Sequence, residues 1–567
     1  MQSTVFPLKA IRSYNSTSSY TGGWGSNWRG QYDRSITFRA SSSRTTASLN
    51  RADGRTLYYN LINSQWVGEA DVIGRLTGNA SAGWIYINPE DETETYDSSG
   101  RLTSIKNAAG LTQTLVYASI SQGTKIIYTT TVSDPVGRKL VFTYDSVRRI
   151  TAMTDPTGQI YTYTYSGPNP SDNLTSVTYP GNKTRTYLYG EAAHTSGTSL
   201  PRALTGLIDE NGNRFATWSY DAQGRAISSE HAVGVEKVVL TYNPNGTTSV
   251  VDALGGGRNY QFQTILGVIK NTGLTRSPDG ATSTTSYDSN GNVASRTDFN
   301  GVVTTYTYDL TRNLETSRTE AFGTAQARTI TTTWHSTYRL PLVMAEPLRR
   351  TSYTYDANGN ELTRTVQATS DTTGVQGING TAVGTARIWT YTYNSVGQVL
   401  TATGPRTDIV DTTSYVYDTM GNLISVTNAL NQTTLLSNYD LNGRVGKITD
   451  SNGTVTDLTY SPRGWLTSKI TTAGTTTEAT SYSYDGVGQL TKVTLPDGVY
   501  IDYSYDAAHR LTGMADSAGN SIVYTLDAMG NRTNEQVKDP SGQLAKQTTR
   551  VIDALNRIQQ ITGPGIL

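Results

Sequence analysis

Aromatic and hydroxyl side chains alternate through most of this chain. Rings or an apolar stand-in fall at every second position in Tyr161, Tyr163 and Tyr165, in Trp218 and Tyr220, in Tyr306 and Tyr308, in Trp389, Tyr391 and Tyr393, and in Ile501, Tyr503 and Tyr505. Thr, Ser or Val mostly fill the places between. Period two puts the rings on one face of a strand and the hydroxyls on the other. Each run then breaks at Tyr-Asp, followed by two variable residues and usually Gly. The fullest copies are Tyr96, Asp97 and Gly100; Tyr220, Asp221 and Gly224; Tyr287, Asp288 and Gly291; and Tyr355, Asp356 and Gly359. Tyr417, Asp418 and Gly421; Tyr439, Asp440 and Gly443; and Tyr484, Asp485 and Gly488 follow, and Tyr505 and Asp506 carry His509 in the glycine place. In the C-terminal half the spacing settles to 21–24 residues, the signature of an array rather than of one compact core.

The pattern gives these residues structural roles. An aspartate after a strand can fold its carboxylate onto backbone N–H groups two or three residues on, and glycine supplies a positive φ. Degenerate copies keep the frame: Tyr242-Asn243, Tyr393-Asn394, Tyr460-Ser461, Leu526-Asp527 and Ile552-Asp553. A second kind of turn lies between them, as in Asp155-Pro156-Thr157-Gly158, Asp209-Glu210-Asn211-Gly212 and Asp450-Ser451-Asn452-Gly453. Turns every ten to twelve residues predict an all-β chain of antiparallel strands. In the other strand of each unit Leu102/Ile105, Leu174/Val177, Leu423/Val426, Val445/Ile448 and Leu490/Val493 are three apart, which fits either a bulge or a strand apolar on both faces. Segments near 166–200, 255–285, 320–350 and 365–387 lack the clear pattern and read as loops or insertions.

Composition narrows the function classes. The 567 residues hold 46 basic and 46 acidic side chains, so there is no electrostatic footprint for nucleic acid or an anionic membrane. Tyrosines number 37 against 7 phenylalanines, which suits rings that pack while their hydroxyls find partners. Without cysteine, disulfides and thiol catalysis are excluded. No apolar run is long enough for a membrane-spanning helix, and Met1–Lys9 lacks the basic and apolar regions of a Sec signal.

No motif marks a reaction. His194, His231, His335 and His509 are scattered outside zinc spacings, and no Gly-x-Ser-x-Gly elbow is present. Gly255-Gly256-Gly257 lacks the Lys-Ser/Thr of a phosphate loop. The expectation is no catalytic, cofactor or metal residue. Trp24, Trp28, Trp66 and Trp84 lie ahead of the array and read as a plug or cap, which a repeat stack needs at its end.

From residue 96 onward the chain resembles the Rhs, or YD-repeat, family: bacterial polymorphic toxins, Tc-toxin B and C subunits, and teneurins. Upstream, Arg12-Ser13-Tyr14-Asn15-Ser16 with Gly23-Trp24-Gly25 and Trp28 resembles the segment leading into bacterial Rhs cores. The resemblance implies a spiral of antiparallel strands forming a cocoon-like shell, with residues 1–95 as leader or cap and 96–567 as shell, open or incomplete in this chain. It implies a non-enzymatic wall that encloses or carries a C-terminal toxic effector absent here. The implied partners are that effector or remaining shell sequence, a secretion adaptor and glycans. The implied location is secreted or at the cell surface by a non-Sec route. The runner-up is a surface or secreted module whose Tyr/Trp face binds carbohydrate or protein. Family members end their core in a Pro-rich closure and an Asp-Pro-x-Gly-Leu cleavage signal. Here Asp134-Pro135-Val136-Gly137 and Asp539-Pro540-Ser541-Gly542 fall in turn register and read as turns. A bare C-terminal edge is expected to be completed by a partner, by self-association or by further sequence.

Overall fold

The computed structural model describes residues 6–563 apart from 19, 43, 123 and 124. Among the described residues there is no α-helix, only three one-turn 3-10 segments. The dominant element is one antiparallel ribbon of forty-two strands in chain order, from Arg75–Asn79 to Ile558–Thr562. Every strand pairs with its sequence neighbour, and among the described residues no ladder joins the ribbon's first strand to its last. The ribbon therefore spirals and does not close.

Most Tyr-Asp strands meet the next strand with a one-residue shift at the tyrosine; Tyr439, which lies beyond its strand Thr433–Ser437, does not. Tyr415 faces Val426 and Val416 faces Ser425, but Tyr417 faces Leu423, so Ile424 is extra. The same slip sets Tyr482 against Val493 and Tyr484 against Leu490, and Tyr163 against Val177 and Tyr165 against Leu174. A bulge, not a two-faced strand, thus accounts for the spacing of Leu174/Val177, Leu423/Val426 and Leu490/Val493, whose members lie opposite rings. It also accounts for Leu102/Ile105, where Leu102 faces Tyr96 and Ile105 faces Glu94. Val445/Ile448 has no such shift, and Ile448 faces Leu436.

Most of the expected insertions stay in the sheet. Leu174–Tyr179, Lys183–Tyr189, Gly257–Ile265, Val268–Ser277, Arg328–Trp334 and Pro341–Glu346 are ordinary ladder strands. Irregular chain is confined to shorter pieces such as 190–203 and 370–381. Side chains other than tyrosine take the ring position there, Phe262 at the shift opposite Asn271 and Trp334 at the bulge opposite Pro341, so the pairing survives where the pattern fades.

Ahead of the ribbon, a four-stranded sheet runs from Ser35–Ala40 to Gln65–Gly68, and two small ladders lie within 12–30. Residues 6–34 do not join the ribbon. They lie on its tyrosine face, where Trp24 packs edge-on to Tyr163 and Trp28 against Tyr187. Gln113 donates to the carbonyls of Phe6 and Pro7, the Ile150 N–H to Gly23, and the Tyr14 hydroxyl to Arg202. One short segment touches strands from residue 113 to 204, so the sheet curls around it and the tyrosine face is the concave one. The main buried core lies in this contact, with Trp24, Trp28, Leu174 and Val177 nearly inaccessible, and continues under the four-stranded sheet, where Trp84 packs on Phe38 and Trp66.

Candidate functional site: turn clasps, coil seam and capped interior

Each Tyr-Asp turn is closed by its own aspartate. Asp418 Oδ1 accepts the N–H groups of Met420 and Asn422 at 2.9 and 2.8 Å, and its Oδ2 accepts Asn422 Nδ2 at 2.9 Å. Asp97, Asp221, Asp440 and Asp506 do the same with Arg101, Arg225, Arg444 and Arg510 as the returning side chain. Asp288 and Asp356 use Asn292 and Asn360, while Asp485 accepts three backbone N–H groups. The carboxylates are committed to their turns. Several are held below the usual carboxylate range: for Asp356, burial pushes upward, and the Asn360 amide and backbone N–H groups outweigh it.

The glycine place has φ between +72° and +99° in Gly100, Gly224, Gly291, Gly359, Gly421, Gly443 and Gly488, and His509 adopts φ +64° there. At Gly100 a side chain would also meet the Ile36 carbonyl at 1.9 Å, because the N-terminal sheet rests on that turn.

The tyrosines join one unit to the unit before it. Tyr220, Tyr287, Tyr355, Tyr439, Tyr484 and Tyr505 donate their phenols to the carbonyls of Leu204, Asn271, Pro341, Leu423, Leu466 and Leu490, at 2.5–3.0 Å. These acceptors flank the bulges. Burial, then the Glu361 charge, pushes Tyr355 up to about 12, so it stays a neutral donor. Tyr417 stands at its bulge opposite Leu423, and Tyr96 instead donates to Glu94. The arginine after the positive-φ residue completes the clasp: Arg149, after Arg148, lies 4.4 Å from the next ring, Tyr165, and Arg225, after Gly224, 4.3 Å from Tyr242. The sequence reading does not single out this position, although Arg, Asn or Gln recurs there in turn after turn.

A second contact forms between residues 248–300 apart, where one coil of the ribbon meets the other. Tyr-Asp turns of the later coil dock on the alternate turns of the earlier one. Asn442 donates to Asp155 Oδ2 at 3.0 Å and Asn211 to Asp485 Oδ2 at 3.0 Å. Glu210, whose side chain is fully buried, accepts Arg185 at 3.1 Å and Arg463 at 3.0 Å. His509 Nε2 lies 2.8 Å from Asp209 Oδ2, and its ring stacks on Phe215 at 4.1 Å. The coils thus meet through hairpin tips, with no ladder between them among the described residues. About twenty-three strands separate Asp155 from Asn442, which at the 4.7–4.9 Å strand spacing is about 110 Å of arc, or a coil about 35 Å across.

The cap is pinned beside the first Tyr-Asp turn. Glu94, fully buried, binds Arg34, Arg51 and the Tyr96 hydroxyl. Burial pushes its carboxyl upward, but Arg51, then Arg34 and Tyr96, hold it below its ordinary value.

The remaining histidines are distributed as structural side chains. His231 pairs with Glu236 at 3.1 Å, His335 Nδ1 accepts two backbone N–H groups, and His194 lies 3.3 Å from Ser219. Among the described residues no group of three metal-ligating side chains converges, and no helix is long and apolar enough to cross a membrane. Asp134 and Asp539 accept the N–H groups of Val136 and Ser541, so both Asp-Pro sites are turns.

Comparison with known proteins matches three family models: the teneurin YD-shell at 372–533, the RHS repeat at 129–160 and 287–325, and a domain of unknown function (DUF6531) at 2–59. No curated protein matches by sequence. Among solved structures, TcdB2-TccC3 aligns over 94% of this chain with a TM-score of 0.60 and 15% identity, a likeness of fold. A Photorhabdus luminescens Tc holotoxin pore aligns over 93% at 13% identity and a TM-score of 0.35. The chain spans 33% of the TcdB2-TccC3 chain and 27% of the holotoxin chain. Over the residues that the teneurin YD-shell and RHS-repeat models match, this chain is similar to the Rhs/YD-repeat family, and over most of its length it shares the fold of TcdB2-TccC3.

Proposed function

We propose that this chain is the non-enzymatic wall of an Rhs-type toxin shell, enclosing a C-terminal effector polypeptide. The carrying observation is the concave tyrosine face, covered by residues 6–34 over the strands nearest the N-terminus and sealed turn-on-turn where the coils meet. Residues 1–95 serve as cap and 96–567 as wall. The eight complete or near-complete Tyr-Asp turns serve as fasteners, and their committed carboxylates support a wall without chemistry. The alternate-turn edge of the later coil presents exposed Phe322, Leu348, Ile409, Val410 and Leu430, where further shell sequence or an export adaptor would dock. A secreted or surface location by a non-Sec route goes with that role. The glycan-binding alternative is weaker, because many of the rings are tied by their hydroxyls to the wall.

Protease protection tests enclosure. Produced with its downstream polypeptide, the shell should keep that polypeptide intact at protease levels that digest it when free. Equal digestion rates would overturn the reading.

A further inference from the structure

On the concave face two cations without an ion pair among the described residues lie together, Arg364 and Arg387. Across three neighbouring strands, Tyr353 faces Arg364 and Arg364 faces Trp389, while Arg387 lies two residues from Trp389 on the same face. The guanidinium of Arg364 is 4.7 Å from the Trp389 ring, and that of Arg387 is 5.3 Å away. Two neighbouring arginines on this face have counter-ions, Arg318 with Glu315 and Glu320 and Arg349 with Glu346, whereas Arg296 has none among the described residues. Arg364 and Arg387 form no ion pair among the described residues, and Arg364 Nε is buried without a hydrogen-bond partner. Glu361, whose carboxyl feels the Arg364 charge, forms no ion pair with it.

Such an arrangement works against folding. Like charges on adjacent strands repel, and a buried donor without a partner forfeits its hydration. A carboxylate at the outer edge of either guanidinium group would supply the missing counter-charge and lower the repulsion, and arginine's planar fork matches it in two parallel hydrogen bonds. The indole between them would shelter that contact and accept an aromatic or aliphatic neighbour of the bound group. The surrounding Tyr353 and Tyr391 continue an aromatic surface that suits a polypeptide better than a bare ion.

We propose that Arg364, Arg387 and Trp389 form a carboxylate-binding site on the inward face that takes acidic side chains of an enclosed polypeptide. This rests on the enclosure reading for its biological ligand, but its chemistry can be measured on the chain alone. The probe is a blocked pentapeptide, Glu-Tyr-Glu-Tyr-Glu, titrated by calorimetry and by tryptophan fluorescence. Trp389→Phe identifies the responding indole, and glutarate, sulfate and the lysine analogue of the peptide run in parallel. The expected result is saturable binding of the acidic peptide, weakened by salt and by at least about tenfold in the Arg364→Gln/Arg387→Gln variant. That variant should keep or raise its melting temperature, because the like-charge repulsion is gone. Absence of binding, equal affinity for glutarate or sulfate, or unchanged binding in the double variant would each overturn the proposal. Loss of protease protection with peptide binding intact would instead count against enclosure.

Discussion

The hydroxyl of Tyr484 donates to the carbonyl of Leu466 at 2.9 Å, eighteen residues back in the chain and beside the bulge of the preceding unit. The bond ties two units that also share the strand ladder and the Trp465–Tyr484 ring contact at 5.5 Å. Tyr484→Phe keeps the ring and removes the donor. It should destabilise the wall by about 1 kcal/mol, the usual net value of one such bond. Chemical denaturation checks this, and a second change at Tyr505 should add to it, since the bonds are separate.

The turn aspartates set the response to acid. Asp356 and Asp506 are held below their ordinary values, burial being outweighed by returning side chains and backbone N–H groups. A carboxylate with a lowered folded value contributes stability that is complete above its unfolded value near 4 and is lost as pH falls through the folded one. Stability should therefore be flat from about pH 7 to 5 and fall below about 4. Melting curves across that range provide the check.

Asparagine can replace part of that chemistry. Asn394 Oδ1 accepts the N–H groups of Val396 and Gln398 as an aspartate would. Asp418→Asn should thus be mild, while Asp418→Ala loses the backbone acceptor and should cost about 1–3 kcal/mol. Similar melting temperatures for the two variants would show that the turn does not depend on its side-chain oxygen.

Gly421 has φ +72°, a region where a β-branched residue is an outlier. Gly421→Val should destabilise by at least about 1–2 kcal/mol. Hydrogen exchange should rise in strands 412–427 and their neighbours and stay unchanged near the cap, as expected of nearest-neighbour coupling.

Much of the wall was legible because its rule is local. Tyr417, Asp418 and Gly421 announce a strand end, an Asx turn and a positive φ within five residues. The bulge was half visible, since Leu423 and Val426 break alternation without saying why, and the reason is that Tyr417 lies opposite Leu423. The coil seam left no sequence mark. Asp209 and His509 look like two unrelated turn residues, and only winding brings them together. The strands at 257–277 and 328–346 read as insertions in the sequence because ladder pairing needs no tyrosine, only extended backbone and a partner.

Winding is the claim on which cap, seam and interior all depend, and one cross-link tests it directly. Asn442 Nδ2 lies 3.3 Å from Thr157 Oγ1 across 285 residues, and the natural chain has no cysteine to interfere. A Thr157→Cys/Asn442→Cys variant treated with a short bismaleimide should give a fast, concentration-independent intramolecular link, seen as a closed loop by mass spectrometry. A link that forms only between molecules, or no faster than in a Thr157→Cys/Asn300→Cys control, would contradict a coiled wall.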